Sequence, residues 1–183
     1  FQFNRTNLAS NTYNYKWYAN DTSNNVNESA QQTYTINKAS SVVNLTLNST
    51  DGNMSITQNT QINLTGTLVT GDSQIELYRE GTLINNGTTL ISNLSTFSDA
   101  GTFNITILYM ASENYTSSFE THYVIVNDTI KPNMTNLKEH PSDPATYALN
   151  QFYEFNVTVV DNVAVDKVWI NFNGTNYTGT NIY

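Results

Sequence analysis

The stretch Gln61-Ile62-Asn63-Leu64-Thr65-Gly66-Thr67-Leu68-Val69 alternates apolar and polar side chains. A period of two residues is that of a β-strand with one buried face. Similar stretches recur on both sides of it, and no helical period separates them. Segment 39–129 is therefore predicted to be one complete β-sandwich, whose other strands are expected near Val42–Leu47, Gln74–Arg79, Thr89–Leu94, Thr102–Tyr109 and Ser118–Val126.

Short segments rich in Gly, Asn and Asp separate these predicted strands. Such residues tolerate the positive φ angles that tight turns require. Turns are expected at Thr50-Asp51-Gly52-Asn53, Thr70-Gly71-Asp72, Arg79-Glu80-Gly81 and Asn85-Asn86-Gly87.

The composition also favours an all-β protein, because about 29 Asn and 27 Thr suit turns and strands while good helix formers are scarce. Only 7 Lys and Arg stand against 15 Asp and Glu, so a basic nucleic-acid-binding stripe is excluded and no nucleic-acid partner is expected. Cys is absent, which excludes disulfides and thiolate metal sites. No apolar run is long enough to span a membrane, and any signal peptide or anchor is expected outside this segment.

Asn-x-Ser/Thr sequons are the strongest local signal in the chain. Sixteen occur, whereas chance in this composition would give about 7. We predict N-glycosylation of a secreted, cell-surface chain, with covalent N-glycans expected and no cofactor. The acceptor residues are Asn4, Asn20, Asn27, Asn44, Asn48, Asn53, Asn63, Asn86, Asn93, Asn104, Asn114, Asn127, Asn133, Asn156, Asn173 and Asn176.

Strand parity provides a separate test of this prediction, because neighbouring side chains of a strand point to opposite faces. In three sequons the Asn is flanked on both sides by large apolar residues, which should face the core. Asn63, Asn104 and Asn156 are therefore expected to point outward.

Ser98-Asp99-Ala100-Gly101-Thr102-Phe103 resembles the Asp-x-Gly-x-Tyr corner that leads into the sixth strand of immunoglobulin-like domains, with Phe103 in place of Tyr. About 90 residues upstream, Ala9-Ser10-Asn11-Thr12-Tyr13 repeats this pattern. Gln32–Asn37 likewise matches Thr121–Val126, which aligns Tyr34 with Tyr123. The first 38 residues are therefore interpreted as the last two or three strands of a domain.

At the other end, Thr129-Ile130-Lys131-Pro132 reads as a linker. Opening strands of a further domain are expected near Asn133–Leu137, Phe152–Val160 and Val165–Phe172. The predicted domains are residues 1–38, the C-terminal half of a domain; 39–129, a complete domain; and 130–183, an N-terminal half. Joined end to start, Thr180–Tyr183 and Phe1–Asn4 would form one strand.

The two half-domains together equal about one complete domain in length, so each is expected to be completed by a neighbour. The expected partner is the chain itself, arranged head to tail. Two forms remain open: one long polypeptide that contains many such periods, and separate subunits that donate strands to one another. The first is favoured, because a free half-sandwich would expose apolar strand edges.

Trp17-Tyr18-Ala19-Asn20-Asp21 and Asp161-Asn162-Val163-Ala164-Val165, together with the sequon density, resemble immunoglobulin-like repeats of prokaryotic, especially archaeal, surface glycoproteins. The resemblance covers nearly the whole chain. It implies an all-β fold of tandem immunoglobulin-like β-sandwiches, head to tail, with one domain split between the two chain ends. In that class such domains act as spacers, stalks, filaments or cell-coat layers.

No catalytic, cofactor or metal constellation is found. His122 and His140 are interpreted as isolated polar histidines, since no Cys or clustered His accompanies them. Neither a Gly-x-Ser-x-Gly elbow nor a glycine-rich phosphate loop is present. Four acids could in principle gather around Ca²⁺, although solvated turn acids are the favoured interpretation: Glu139, Asp143, Asp161 and Asp166.

Exposed tryptophans can stack on sugar rings, and the chain contains two, Trp17 and Trp169. Trp17 shares its parity with Tyr13 and Tyr15, which favours core packing. The parity of Trp169 stays open, because Val168 and Ile170 compete for the core.

These features predict a non-enzymatic structural unit of an extracellular, N-glycosylated fibre or stalk. The alternatives are an adhesin or carbohydrate-binding module, for which the sequon-poor stretch Leu137–Phe155 is the candidate surface, and an accessory domain of a secreted enzyme.

Overall fold

A computed structural model describes residues 1–181, and every regular element in them is a β-strand. This part of the chain accordingly holds no helix that could cross a lipid bilayer. The chain forms two compact units, Phe1–Val126 and Asn127–Tyr183. The division into half, complete and half domains stays a prediction.

The first unit contains twelve strands. They are β1 (Asn11–Tyr15), β2 (Tyr18–Asn20), β3 (Val26–Glu28), β4 (Gln32–Ile36), β5 (Val42–Leu47), β6 (Met54–Thr57), β7 (Thr60–Thr70), β8 (Ile75–Arg79), β9 (Thr82–Gly87), β10 (Leu90–Phe97), β11 (Gly101–Tyr109) and β12 (Ser118–Asn127). The second unit contains β13 (Asn133–His140), β14 (Glu154–Val160), β15 (Trp169–Phe172) and β16 (Thr175–Thr178).

Strands β5 to β12 form two sheets around one core. The first sheet has the order β10-β7-β5 and the second the order β6-β12-β11-β8-β9. Their inner faces enclose a single cluster of buried side chains: Val43, Leu45, Leu47, Ile62, Leu64, Ile75, Leu77, Ile91, Phe97, Ile105, Ile107, Tyr109, Val124 and Val126. The all-β class and the paired-sheet architecture are as the sequence predicts.

The core follows from strand alternation. In β7, Ile62 and Leu64 are buried whereas Asn63 between them is exposed. In β11, Ile105 and Ile107 are buried on one face and Thr106 lies between them, partly exposed. Full burial of an aliphatic side chain stabilises a fold by about 1.5–3 kcal/mol. The face of each strand that carries the alternate apolar residues therefore packs against the other sheet.

Two strands of the sandwich, β6 and β9, were not predicted, and one predicted turn is wrong. Asn85-Asn86-Gly87 was expected to be a turn, but these residues lie in β9 and pair with Leu77, Glu76 and Ile75. The reversal of direction is made earlier, at Glu80 and Gly81, whose φ angles are 50° and 72°. Since those two residues already supply the positive φ of a tight hairpin, β9 continues as a strand to Gly87.

The N-terminal strands form a hairpin, defined here as residues 11–36. Strand β1 pairs with β4 from Asn11 with Ile36 to Tyr15 with Gln32, and β2 pairs with β3 nearer the tip. Between these ladders, Ser29-Ala30-Gln31 lies opposite only Lys16-Trp17, so the extra residue is on the returning side. The outgoing side can therefore run regularly from β1 into β2.

The register of this hairpin corrects the sequence alignment by one residue. In the hairpin Asn11 pairs with Ile36, and in the sandwich Gly101 pairs with Val126. Each residue of the second pair lies 90 positions after its counterpart in the first. Both strands are thus displaced by the same 90 residues, and Tyr34 corresponds to Val124, whereas the sequence alignment had matched it to Tyr123. A slip of one residue exchanges the two faces of a strand, so this correction places Tyr34 on the inward parity.

The second unit consists of two hairpin-like pairs, β13 with β14 and β15 with β16. The predicted strand Val165–Phe172 is shorter than expected, since β15 begins at Trp169. Asn173 and Gly174 connect β15 to β16 with φ angles of 46° and 84°. For the strand predicted across the joined ends, Ile182 and Tyr183 lie outside the described residues, and residues 1–4 form no strand.

We expect Leu77→Ala to lower the free energy of unfolding of the first unit by about 2–5 kcal/mol, because it leaves a cavity in a fully buried site. Leu83→Ala is the matched control: Leu83 is 46% exposed, and its loss should change stability by only about 0.5 kcal/mol. Urea denaturation followed by circular dichroism measures both. Equal losses in the two variants would contradict the assignment of the core.

Candidate assembly and glycosylation sites

All sixteen sequon asparagines lie outside the buried core. Eleven are exposed and five are half-buried, the latter being Asn44, Asn93, Asn104, Asn114 and Asn156. They occur in strands, turns and both units, so accessibility does not depend on one loop. Asn93 differs from the others in parity: it lies on the inward face of β10 with Ile91, Ser95 and Phe97, and its Nδ2 donates a hydrogen bond of 3.3 Å to the Ile84 carbonyl.

The parity prediction holds fully for only one of the three asparagines it addressed. Asn63 is exposed between the buried Ile62 and Leu64. Asn104 is half-buried, and its Oδ1 accepts a hydrogen bond of 2.8 Å from the hydroxyl of Thr106. Asn156 is half-buried while both its neighbours are exposed, which reverses the expected contrast.

The reversal at Asn156 has a structural cause: the apolar face of the second unit is open. Phe155 is 48% exposed and Val157 39% exposed, although both have the parity of core residues. The ring centroids of Phe155 and Phe172 lie 5.4 Å apart. Both rings line an open pocket with a volume of about 490 Å³. The open face is lined by Tyr153, Phe155, Ile170, Phe172 and Tyr177.

The open face settles the parity of Trp169, because Ile170 lies on it and adjacent residues of a strand face opposite ways. Trp169 therefore belongs to the other side of β15, where it is 59% exposed. Val168 lies before the strand begins.

Two strands of the open face repeat the pattern of the sandwich at one constant displacement. Phe155-Asn156-Val157-Thr158 matches Ile62-Asn63-Leu64-Thr65, 93 residues earlier. The hairpin turn at Asn173 and Gly174 matches the turn at Glu80 and Gly81, also 93 residues earlier and also with two positive φ angles. Ile170 thus corresponds to Leu77, which is fully buried in the sandwich.

The N-terminal hairpin has a corner of its own. The Tyr13 hydroxyl donates a hydrogen bond of 2.8 Å to the carbonyl of Ala9, four residues upstream. Phe103, at the corresponding corner of the sandwich, has no hydroxyl and packs on Phe97, with ring centroids 5.2 Å apart. The chain thus makes the same corner in two ways, by a hydrogen bond and by ring packing.

Apolar side chains are also left uncovered on the hairpin. Trp17 is 51% exposed and Tyr18 64% exposed. Together with Phe1 they line an open pocket with a volume of about 830 Å³. Trp17 therefore does not occupy a finished core in this chain, although its parity is that of a core residue.

Polar contacts attach the base of the hairpin to one end of the sandwich. Asn114 Oδ1 accepts a hydrogen bond of 2.9 Å from the Ser10 amide, and Lys38 Nζ donates one of 2.5 Å to the Ser112 carbonyl. The Asn114 carbonyl accepts from the Ala39 amide at 2.8 Å. Asn114 is itself a sequon residue, and its Nδ2 lies 3.5 Å from Asp72 Oδ2. A glycan on Asn114 would start at this joint.

Asp72 joins the same network from the other side. Its Oδ1 accepts a hydrogen bond of 2.8 Å from the buried Tyr109 hydroxyl. Hydrogen bonds from Ser112 and Tyr109 lower the pKa of Asp72 below its ordinary value of 3.8. These hydrogen bonds therefore stabilise the ionised form of the Asp72 carboxylate.

His122 is not isolated, which corrects the sequence-based interpretation. Its Nε2 lies 3.1 Å from Asp51 Oδ1 and 3.7 Å from Glu120 Oε1. Glu120 also accepts a hydrogen bond of 2.6 Å from the Leu45 amide, on an edge strand of the other sheet. These side chains link the two sheets. Glu120 and His122 share the inward parity of Val124, and that parity was the sequence signal that could have revealed them.

Within residues 1–181, one set of His, Asp and Glu side chains brings its ligand atoms within 4.8 Å of one another, and that set is Asp51, Glu120 and His122. The four acids considered for Ca²⁺ are not gathered in this way: Glu139, Asp143, Asp161 and Asp166. Asp161 instead holds a local turn, its Oδ2 accepting from the amides of Val163 and Ala164 at 3.1 and 3.2 Å.

The sequon-poor stretch Leu137–Phe155 is largely exposed. Four large apolar side chains in it are more than two-thirds accessible: Leu137, Tyr147, Leu149 and Phe152. The chain matches no protein-family model, no curated protein and no solved structure.

Removing the corner hydroxyl by Tyr13→Phe should destabilise the hairpin by about 1 kcal/mol, since the ring stays and only its hydrogen bond is lost. The control is Tyr34→Phe, whose hydroxyl has no hydrogen bond within the described residues and whose side chain is 58% exposed. Hydrogen exchange of the β1 and β4 amides reports the difference. An unchanged exchange rate in Tyr13→Phe would show that the corner contributes nothing.

The stability of the first unit should fall as the pH is lowered from about 4 toward 2, where carboxylates are protonated. The pKa of folded Asp72 is below its unfolded value, so its contribution is present above the unfolded pKa and is lost as the pH falls through the folded one. In Asp72→Asn this part of the pH dependence should disappear. Thermal unfolding at pH 7 and pH 3 measures it, and an equal fall in both proteins would refute the role of Asp72.

Proposed function

We propose that the chain is a structural unit of an extracellular, heavily N-glycosylated fibre or stalk built from immunoglobulin-like domains, as in surface glycoproteins of prokaryotes. The observation that carries this proposal is that sixteen sequon asparagines, spread over both units, all lie outside the buried core. Every described Asn avoids the buried core, so what distinguishes the sequons is their number, sixteen against the about 7 that chance would give in this composition. N-glycans are added to exported chains, which gives the proposed location.

The strand order of the sandwich supports an immunoglobulin-like topology. In that fold the first, second and fifth strands lie in one sheet and the third, sixth and seventh in the other. Taking β6 as a continuation of the first strand and β9 as an extra strand after the third, β5, β7 and β10 form one sheet. The other sheet then holds β8, β11 and β12.

The Tyr13 corner supports the same assignment for the N-terminal hairpin. A tyrosine at the start of the sixth strand, bonded to backbone a few residues upstream, is a mark of immunoglobulin-like domains. Tyr13 lies in β1 and bonds to Ala9. The hairpin is therefore proposed to be the sixth and seventh strands of an immunoglobulin-like domain.

A structural role also suits the chemistry of the surface. Charged residues make up only 12% of the chain, so exposed Asn, Thr and attached sugars would have to hydrate it. Glycans on strand faces and edges would in addition prevent edge-to-edge pairing at unwanted places. The proposal assigns no catalytic residue and no bound cofactor.

An adhesin is the second candidate, favoured by the stretch Leu137–Phe155. It combines exposed apolar side chains with the absence of sequons, so sugars on the chain would leave it free for contact. If the protein is an adhesin, the stretch Leu137–Phe155 would form its contact surface.

The test is to produce the chain in a host that N-glycosylates exported proteins and to map sugar-bearing peptides by mass spectrometry. We expect most sequons to be occupied, Asn63 among them. Thr65→Ala should remove only the glycan on Asn63, because it destroys that sequon. Thr67→Ala, on the same face of β7 but outside any sequon, should leave every glycan in place. A product without sugar on any peptide would overturn the proposal.

A further inference from the structure

We infer that the open face of the second unit is covered by the N-terminal hairpin of a second copy of this chain, in which the end of β1 and the two residues after it, Lys16 and Trp17, pair antiparallel to β15. The inference deepens the proposed function and rests on it. It names the partner surface and the residue-by-residue register of the contact between successive units.

The complete sandwich supplies the template for this register. There β11 pairs with β8 so that Ile105 lies opposite Arg79, Thr106 opposite Tyr78 and Ile107 opposite Leu77. Ile107 and Leu77 are both fully buried by this arrangement.

The two displacements found above transfer the template to the half-domains. Strand β1 corresponds to β11 at 90 residues, and the β15–β16 hairpin corresponds to β8–β9 at 93 residues. The displacement of 90 residues follows from the strand pairing, and the displacement of 93 residues follows from the turn positions, so the two are independent. Applied together, they place Tyr15 of one copy opposite Phe172 of the next, Lys16 opposite Asn171 and Trp17 opposite Ile170.

The side chains brought together in this way are those that the chain leaves uncovered. Trp17 is 51% exposed and Tyr15 46% exposed on the hairpin. Ile170 is 39% exposed and Phe172 52% exposed on the open face. Lys16 and Asn171, which are polar, fall together on the outer side. Apolar residues thus meet apolar residues, and polar residues meet polar ones, in a single register.

The occupant is a second copy because the sandwich separates the two attachment points. The hairpin joins it at Lys38 and Ala39, beside the loop that follows Tyr109. The chain leaves at Val126, which pairs with Gly101 at the other end of β11. Strand β11 spans nine residues, and its ends lie about 27 Å apart at roughly 3.4 Å per residue. Hydrogen bonds already hold the hairpin base at the first end.

Single-cysteine variants of the whole chain test the register, and the natural chain contains no Cys to interfere. An equimolar mixture of Lys16→Cys and Asn171→Cys proteins is oxidised, and disulfide-linked peptides are measured by mass spectrometry. Directly opposite residues have Cβ atoms about 4.5–5.5 Å apart, close to what a disulfide needs. We expect the mixed dimer to exceed either homodimer by about tenfold.

The matched control replaces Lys16→Cys by Asn14→Cys, on the same face of the strand but two residues out of register. Diagonal neighbours are about 7–8 Å apart, so this mixture should cross-link far less. Equal cross-linking in the two mixtures would overturn the register. A protein that carries both Lys16→Cys and Asn171→Cys provides a further control. A disulfide between positions 16 and 171 within one monomer would overturn the second copy as occupant.

A second readout does not depend on cysteines. Trp169→Phe leaves Trp17 as the sole tryptophan. Its fluorescence should shift to the blue and resist acrylamide quenching as the protein concentration rises. Trp17 that stays accessible at every concentration, together with no mixed dimer, would overturn the inference. Sequon occupancy is determined on the same preparation: a glycosylated chain that does not pair refutes only the interface, and a paired chain without sugar refutes only the glycoprotein fibre.

Discussion

The burial of alternate side chains between two sheets is the constraint on which the rest of this protein depends. Ile62 and Leu64 turn into the core, so Asn63 between them has to face outward. The same rule sends Glu120 and His122 toward the seam between the sheets, where Glu120 accepts from the Leu45 amide. The core, the outward position of Asn63 and the contacts between the sheets are thus consequences of one two-residue period.

That period also explains how far sequence reasoning reached. The long strands Thr60–Thr70 and Gly101–Tyr109 were predictable because several alternating residues each report the same face. Strand β6 has only four residues, and β9 contains Asn85-Asn86-Gly87, whose composition is typical of a turn although these residues pair with β8. The contact of Asp51 with His122 spans 71 residues, a distance that no local pattern encodes.

The second unit has the same strand layout with one apolar face uncovered. Phe155 and Val157 match Ile62 and Leu64 in position, yet remain about half and two-fifths exposed. Because apolar exposure costs roughly 25 cal/mol per Å², these strands should be less stable than their counterparts in the sandwich. The outward orientation expected from parity is found at Asn63, whereas at Asn156 the expected contrast with its neighbours is reversed, because parity alone cannot tell whether the opposite layer is present.

The placement of the two attachment points at opposite ends of β11 has a mechanical consequence. A chain pulled from its ends would load the sandwich along its strands, through β5 at one end and β12 at the other. Hydrogen bonds aligned across such strands are sheared together, whereas a hairpin pulled from one end opens bond by bond. Resistance to forced unfolding is set by the unfolding rate. In the proposed stalk, the joints between units would therefore separate at a lower force than the sandwiches unfold.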